Sequence, residues 1–156
     1  MSDDPKFFML DTNVFNEFCD GSLPLDCLRG RRLLVTGIQE AELWNCEDEA
    51  RRNALRDTFE KVNADWEPAA QFAFEMAGAG FDQGSWGVND HTHEAMLIRL
   101  RELERVKAGS NQIADVLIAE TAMRRDAVLV SGDKNLRTMA SEFGVEVMSL
   151  NEFAAC

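Results

Sequence analysis

Long apolar runs are missing from this sequence. None approaches the roughly 18 residues that a membrane-crossing helix requires, so no membrane association is expected. The start, Met1 to Lys6, is polar and acidic, and the apolar run after it is short, which is not how a secretory leader reads. A cytoplasmic protein is the expectation. Cysteine is sparse: Cys19, Cys27, Cys46 and Cys156 form no Cys-x-x-Cys pair, and reduced thiols are expected. Histidine is scarcer still. His91 and His93 lie far from every cysteine, which argues against zinc, and both read as surface residues at a helix start.

Positive charge is also in short supply. Lys and Arg number 16 against 28 Asp and Glu, for a net charge of −12. Such a surface repels phosphate at long range, which excludes a simple electrostatic nucleic-acid binder. Action on a nucleic acid then needs bound cations or a local basic patch. Candidate patches are Arg29 with Arg31 and Arg32, Arg51–Arg52, Arg124–Arg125, and Lys134 with Arg137. Each reads first as a solvated face.

What the chain does have is 46% hydrophobic residues over 156 positions, enough for one domain with a real core. Short apolar runs alternate with helical patterns. Strands are expected at Lys6–Leu10, Leu33–Thr36, Ala127–Ser131 and Val145–Met148. Helices are expected at Asn13–Cys19 (stopping at Asp20-Gly21), Ile38–Cys46, Glu47–Ala64, Pro68–Ala77, His91–Lys107, Gln112–Arg125 and Leu136–Phe143, with a last turn at Asn151–Ala155. Ser110 or Asn111 would cap the helix into the fourth strand, and Gly78–Gly87 reads as a loop with a short strand near Trp86–Val88. The third strand has no firm position. This alternation implies an α/β fold: a three-layer α/β/α sandwich with a central parallel sheet, forming a single domain over residues 1–156.

Two strands end on an aspartate, Phe7-Phe8-Met9-Leu10-Asp11 and Ala127-Val128-Leu129-Val130-Ser131-Gly132-Asp133. The carboxyl ends of strands form the ligand crevice of an open α/β sheet. Asp115 stands in the apolar helical run Ile113–Ala119, where a charge is costly unless satisfied. On the helix after the second strand, Glu42 falls on the side of Ile38 and Ala41, facing inward, with Glu40 opposite and facing water. Each acid has a structural explanation: Asp11 as a helix cap, Asp133 as a turn residue, Asp115 as a partner for a helix dipole, Glu42 as half of a salt bridge. Those explanations leave the shared position unexplained. Carboxylates gathered in one crevice repel one another unless cations lie between them, and hard oxygen donors favour Mg²⁺ or Mn²⁺.

Leu10-Asp11-Thr12-Asn13 resembles the opening motif of PIN-domain nucleases. Thr36 to Leu43 is similar to their second motif, a hydroxyl residue followed by a helix with a metal-binding glutamate before leucine. Asp115-Val116-Leu117-Ile118-Ala119 is similar to the third, and Ser131-Gly132-Asp133-Lys134-Asn135 to the fourth. The resemblance spans about Lys6–Trp44 and Ser110–Met148; between them the segment reads longer than in compact relatives, and Asn135 stands where many carry another acid. The resemblance implies metal-dependent hydrolysis of RNA, with Asp11, Glu42, Asp115 and Asp133 as catalytic metal ligands for Mg²⁺ or Mn²⁺. Thr12, Asn13 and Ser131 would be supporting polar residues, and Lys134 could touch phosphate. It further implies a VapC-like toxin with a cognate antitoxin that occludes the acidic site, and the apolar helix faces between Glu47 and Lys107 could build a homodimer. Trp44, Trp66 and Trp86 read first as core residues, or as the walls of an antitoxin groove.

Other classes remain in view. A housekeeping PIN-type RNA-processing nuclease would share the chemistry and differ in substrate. A PIN-like module could bind RNA or protein without cleaving it. Phosphoaspartyl enzymes also use an aspartate after the first strand, but those of the dehalogenase type want Asp-x-Asp where this chain has Asp11-Thr12-Asn13, and no central aspartate of the receiver kind is evident.

Overall fold

The short apolar runs pair side by side as a parallel sheet. The structure, a computed structural model, describes residues 6–67, 90–104 and 110–155. The chain runs β1 (Phe7–Leu10), α1 (Thr12–Asp20), a single 3-10 turn (Leu25–Leu28), β2 (Arg32–Thr36), α2 (Gly37–Trp44), α3 (Glu49–Val62) and β3 (Asp65–Glu67). It continues with α4 (Asp90–Glu104), α5 (Ser110–Arg124), β4 (Val128–Val130), α6 (Lys134–Glu142), β5 (Val147–Met148) and α7 (Leu150–Ala155). The sheet order is β3-β2-β1-β4-β5, and every pairing is parallel.

Side-chain alternation along the strands sorts the core into two layers. Met9, Leu34 and Leu129 face one way, onto Met96 and Leu100 of α4, Val116 and Ile118 of α5, and Leu136 and Met139 of α6. Leu10, Leu33, Val35 and Val130 face the other way, onto Val14, Phe15 and Phe18 of α1, Leu55 and Val62 of α3, and Phe153 of α7. The expected α/β/α sandwich is therefore the observed one. Gly21 closes α1 in the left-handed region (φ +82°), which glycine adopts without a Cβ penalty.

Several expectations need correction. The helix read as Glu47–Ala64 is α3, Glu49–Val62, closed by Asn63 in the left-handed region. The missing third strand sits directly after it, at Asp65–Glu67, paired in register with Leu34–Thr36. That strand lies at the sheet edge, and Trp66 is 54% exposed rather than in the core. Trp44 is half-buried, its ring edge-on to Phe59 at 5.3 Å with the Arg56 guanidinium over it. His93 is no surface residue: it is half-buried, with Nδ1 3.5 Å from Oε1 of the buried Glu120. The helix at Pro68–Ala77, the loop at Gly78–Gly87, the strand near Trp86–Val88, Trp86 itself and the side chains of His91, Ser110 and Asn111 lie outside the described residues. Cys19, Cys27 and Cys46 are free thiols. Among the described residues, no helix is long and apolar enough to cross a membrane.

Candidate metal centre

The chain leaves β1 toward β2 on one side, while β4 lies on the other side of β1. The cleft between the carboxyl ends of β1 and β4 is thus a topological switch point, where open α/β sheets bind ligands. Leu10 and Val130 are register partners, and the ladder continues one step beyond: the Asp11 N–H donates to the Val130 carbonyl at 3.0 Å. Asp11 and Ser131 therefore start side by side.

Asp11 is buried, and each of its carboxylate oxygens meets one local donor. Its Oδ1 accepts the Thr12 N–H at 2.8 Å as the cap of α1, and its Oδ2 accepts the Ser131 hydroxyl at 2.7 Å. The Ser131 Oγ in turn accepts the Asp133 N–H at 3.0 Å. Asp133 caps α6, one oxygen accepting the N–H groups of Asn135 at 2.9 Å and Leu136 at 3.2 Å. Capping and the shared crevice are thus not rival explanations for Asp11 and Asp133; the caps fix the two carboxylates. Asn13 Oδ1 accepts the Gly132 N–H at 3.2 Å, tying the start of α1 to the loop after β4. Gly132 has a packing reason: a Cβ there would lie 3.0 Å from Leu150 Cδ1.

The second acid arrives on α2. Glu42 is half-buried and accepts the Thr12 hydroxyl. Its inward direction is as expected, but Ala41 is exposed and Glu40 is half-buried rather than fully in water. The innermost residue of α2 is Gln39, at 0% exposure, which the sequence reading did not single out. Gln39 completes a capping box with Thr36 and donates Nε2 to the Leu10 carbonyl at 2.8 Å. Arg137, one turn after Asp133, donates to the Ser131 carbonyl at 2.8 Å. Lys134 is exposed at the first position of α6.

Asp115, on the second turn of α5, is half-buried, and no donor among the described residues meets its carboxylate. A further acid joins it from α4. Oxygens of Glu104, Asp115 and Asp133 lie within 4.8 Å of one another. Glu104 was not foreseen, although helical spacing carries it: it follows Leu100 by four residues, on the buried stripe of Met96 and Leu100. Gln112 Nε2 donates to Glu104 Oε1 at 2.5 Å.

The electrostatics follow from this crowding. Burial pushes the Asp115 carboxyl up to about 8, with Asp11, Glu42, Asp133 and Glu104 adding repulsion. Burial also raises Asp11 to about 6, against the pull of its Ser131 and Thr12 hydrogen bonds. Glu42 is raised by burial and eased back by Thr12. The donor set suits a hard divalent cation. It is all carboxylate oxygen, and ligands on opposite sides of one such ion stand about 4 to 5 Å apart, the spacing seen here.

A pH dependence follows. Asp11 and Asp115 both have folded values above the ordinary 3.8, so their contribution to stability is complete below about pH 4 and is lost as pH rises through 6 and then 8. In chelator, the melting temperature is expected to be higher near pH 5 than near pH 8, by about 5 °C, and Mn²⁺ should restore it at the higher pH. A metal-free melting temperature that climbs over the same interval would contradict the crowding argument.

Comparisons with known proteins bear on the fold. No protein-family description and no curated protein matches the sequence. Among solved structures, the chain is similar to one in the crystal structure of VapBC2 from Rickettsia felis bound to a DNA fragment from their promoter. The two share 14% identity with a TM-score of 0.55, over 92% of this chain and 98% of that one. At that identity the likeness is one of fold: a parallel five-stranded sheet between helical layers, as in a PIN-like sandwich.

Proposed function

We propose that this chain is a metal-dependent endoribonuclease, a single PIN-like domain of the VapC-like toxin type. The observation that carries the reading is the convergence of Asp11, Glu42, Asp115 and Asp133 on the switch point between β1 and β4, with Glu104 beside them. The four acids come from four separate elements, in the order and local context of the PIN motifs.

Glu104, Asp115 and Asp133 would hold Mg²⁺ or Mn²⁺, with Asp11 and Glu42 completing the acidic wall. A bound divalent ion supplies neutralisation of the scissile phosphate and a more acidic water. The chain's own residues do the positioning. Ser131 and the α1 cap hold Asp11 in one orientation, and Thr12 does the same for Glu42. Hydrolysis joins a water oxygen to phosphorus and breaks the bond from phosphorus to one ribose oxygen. Lys134, exposed beside Asp133, is a phosphate contact at the rim. No histidine is required. A divalent ion held by these carboxylates would supply the positive charge toward phosphate that this acidic surface lacks.

A VapC-like protein implies an antitoxin covering the acidic cleft, and the neighbour of similar fold is itself described in a VapBC complex. Trp66 on edge strand β3 and Ile98 on α4, both more than half exposed, are apolar positions for that partner or for a second copy. The test is cleavage of structured RNAs by the purified protein with Mg²⁺, Mn²⁺ or chelator, beside Asp11→Asn. Metal-dependent cleavage lost in the variant is the expected result, and mapped cut sites then separate a toxin from a processing enzyme. Wild type as silent as the variant on RNA with both metals would remove the nuclease reading.

A further inference from the structure

A cavity lies at the β2–β3 edge of the sheet, away from the carboxylate cleft. β2 begins at Arg32 and β3 at Asp65, and the cavity, of about 620 Å³, opens beside these two strand starts. β2 runs from there to Thr36, about 13 Å at roughly 3.3 Å per residue, so the cavity lies at the opposite end of the strands from the carboxylate cleft. We propose that this cavity binds a phosphate-bearing nucleotide, independently of the metal centre.

Three observations carry the inference. The first is sign. On a chain of net charge −12, this lining carries Arg29, Arg31, Arg32 and Lys61, with only Asp26 and Asp65 opposing them. A local excess of cations on so acidic a surface is the footprint of an anion site. The second is preorganisation. The Arg31 guanidinium is held over the rings of Phe153 at 4.1 Å and Phe8 at 5.1 Å, in the same layer as the Leu33 and Val62 walls. Among the described residues, Arg29 and Lys61 pair with exposed acids alone, Asp26 at 3.7 Å and Asp57 at 3.0 Å. Exposed pairs of that kind are weak and exchange readily for a better anion. The third is shape. The volume exceeds what a lone anion fills and falls within the range of small-molecule pockets. Leu28, Leu33 and Val62 give it apolar wall, suited to a base or a sugar. Arginine forks match phosphate oxygens two at a time, which favours phosphate over a single carboxylate.

The phosphate could belong to a free nucleotide or to an RNA strand, and the arms of one experiment separate them. Calorimetric titration of the full chain in chelator, at low salt, would use inorganic phosphate, adenosine, adenosine monophosphate and a short oligoribonucleotide without terminal phosphates. Saturable binding of the monophosphate is expected, stronger than that of inorganic phosphate or adenosine. Arg32→Glu with Lys61→Glu should weaken it at least 10-fold. The milder Arg32→Gln with Lys61→Gln guards against misfolding and should weaken it less. Binding confined to the monophosphate identifies a free nucleotide. Equal binding of the oligoribonucleotide, lost in the same variants, identifies a strand. No heat from any phosphate probe, or affinities unchanged in both variants, would overturn the proposal. Because chelator silences the metal centre, a protein that cleaves RNA but fails here loses this site alone.

Discussion

Asp115→Asn is expected to stabilise the metal-free protein and to disable it in the same stroke. The wild-type carboxyl stands among Asp11, Glu42, Asp133 and Glu104, has no donor among the described residues, and is pushed up to about 8. At neutral pH in chelator, holding that carboxyl protonated when the unfolded chain would ionise it works against folding. An amide of equal size removes the charge and leaves the packing of α5 intact. A tenfold change in ionisation is worth about 1.4 kcal/mol, so a rise from 3.8 to about 8 costs at most about 4 kcal/mol near pH 7; halved for the screening of a half-buried group, a gain of about 2 kcal/mol is expected, or about 5 °C in melting temperature. The gain should shrink toward pH 4, where the unfolded wild-type chain also carries the group protonated and the difference between the two states disappears. With Mn²⁺ the order reverses: the wild type is stabilised by the ion, while the variant, lacking a ligand oxygen charge, binds it more weakly. Metal-dependent RNA cleavage should fall by about 10³-fold, the scale of losing one electrostatic contribution to phosphoryl-transfer catalysis. Melting curves with and without metal, beside a cleavage assay, read all three. An Asp115→Asn protein less stable than wild type in chelator would mean the acid is structural, and the metal reading would lose its physical basis.

The sequence carried the parts of this fold that depend on burial from both faces. β1 and β4 are central, so their runs are apolar throughout and end abruptly on polar residues. β3 is an edge strand with one neighbour, and Asp65-Trp66-Glu67 has no run to detect; only its pairing to β2 makes it a strand. The carboxylates at strand ends were legible for the same reason as the strands. Glu104 was not, because it closes an apolar stripe whose last turn reads as solvated, and only its meeting with Asp115 and Gln112 gives it a place. On α2, Ile38 is buried as its spacing predicts; the departures are Ala41, which is exposed, and Gln39, whose fully buried amide the apolar pattern does not signal.

That glutamine has the second large effect. Gln39 is fully buried and makes bonds at both ends of its amide: Oε1 accepts the Thr36 N–H at 2.9 Å and the Thr36 hydroxyl at 2.5 Å, while Nε2 donates to the Leu10 carbonyl at 2.8 Å. The Leu10 carbonyl belongs to the residue before Asp11, and Glu42 is three residues beyond Gln39 on the same helix. The amide is therefore the brace that sets the α2 carboxylate against the β1 carboxylate. Gln39→Ala opens a cavity and strands a buried acceptor and a buried donor, at about 1–3 kcal/mol for each unsatisfied group. A loss of about 3 kcal/mol is expected, or about 9 °C in a domain of this size. Gln39→Leu separates the causes: it fills the volume but restores neither bond, so it should recover only the cavity part. Gln39→Glu keeps the acceptor, loses the donor to Leu10 and adds a charge beside an already crowded cluster, so it should be the least stable of the three in chelator. Denaturant unfolding of the three variants gives the order. If Leu matched wild type, the side chain would be packing material, and the coupling between α2 and β1 would have to be sought in the backbone ladder instead.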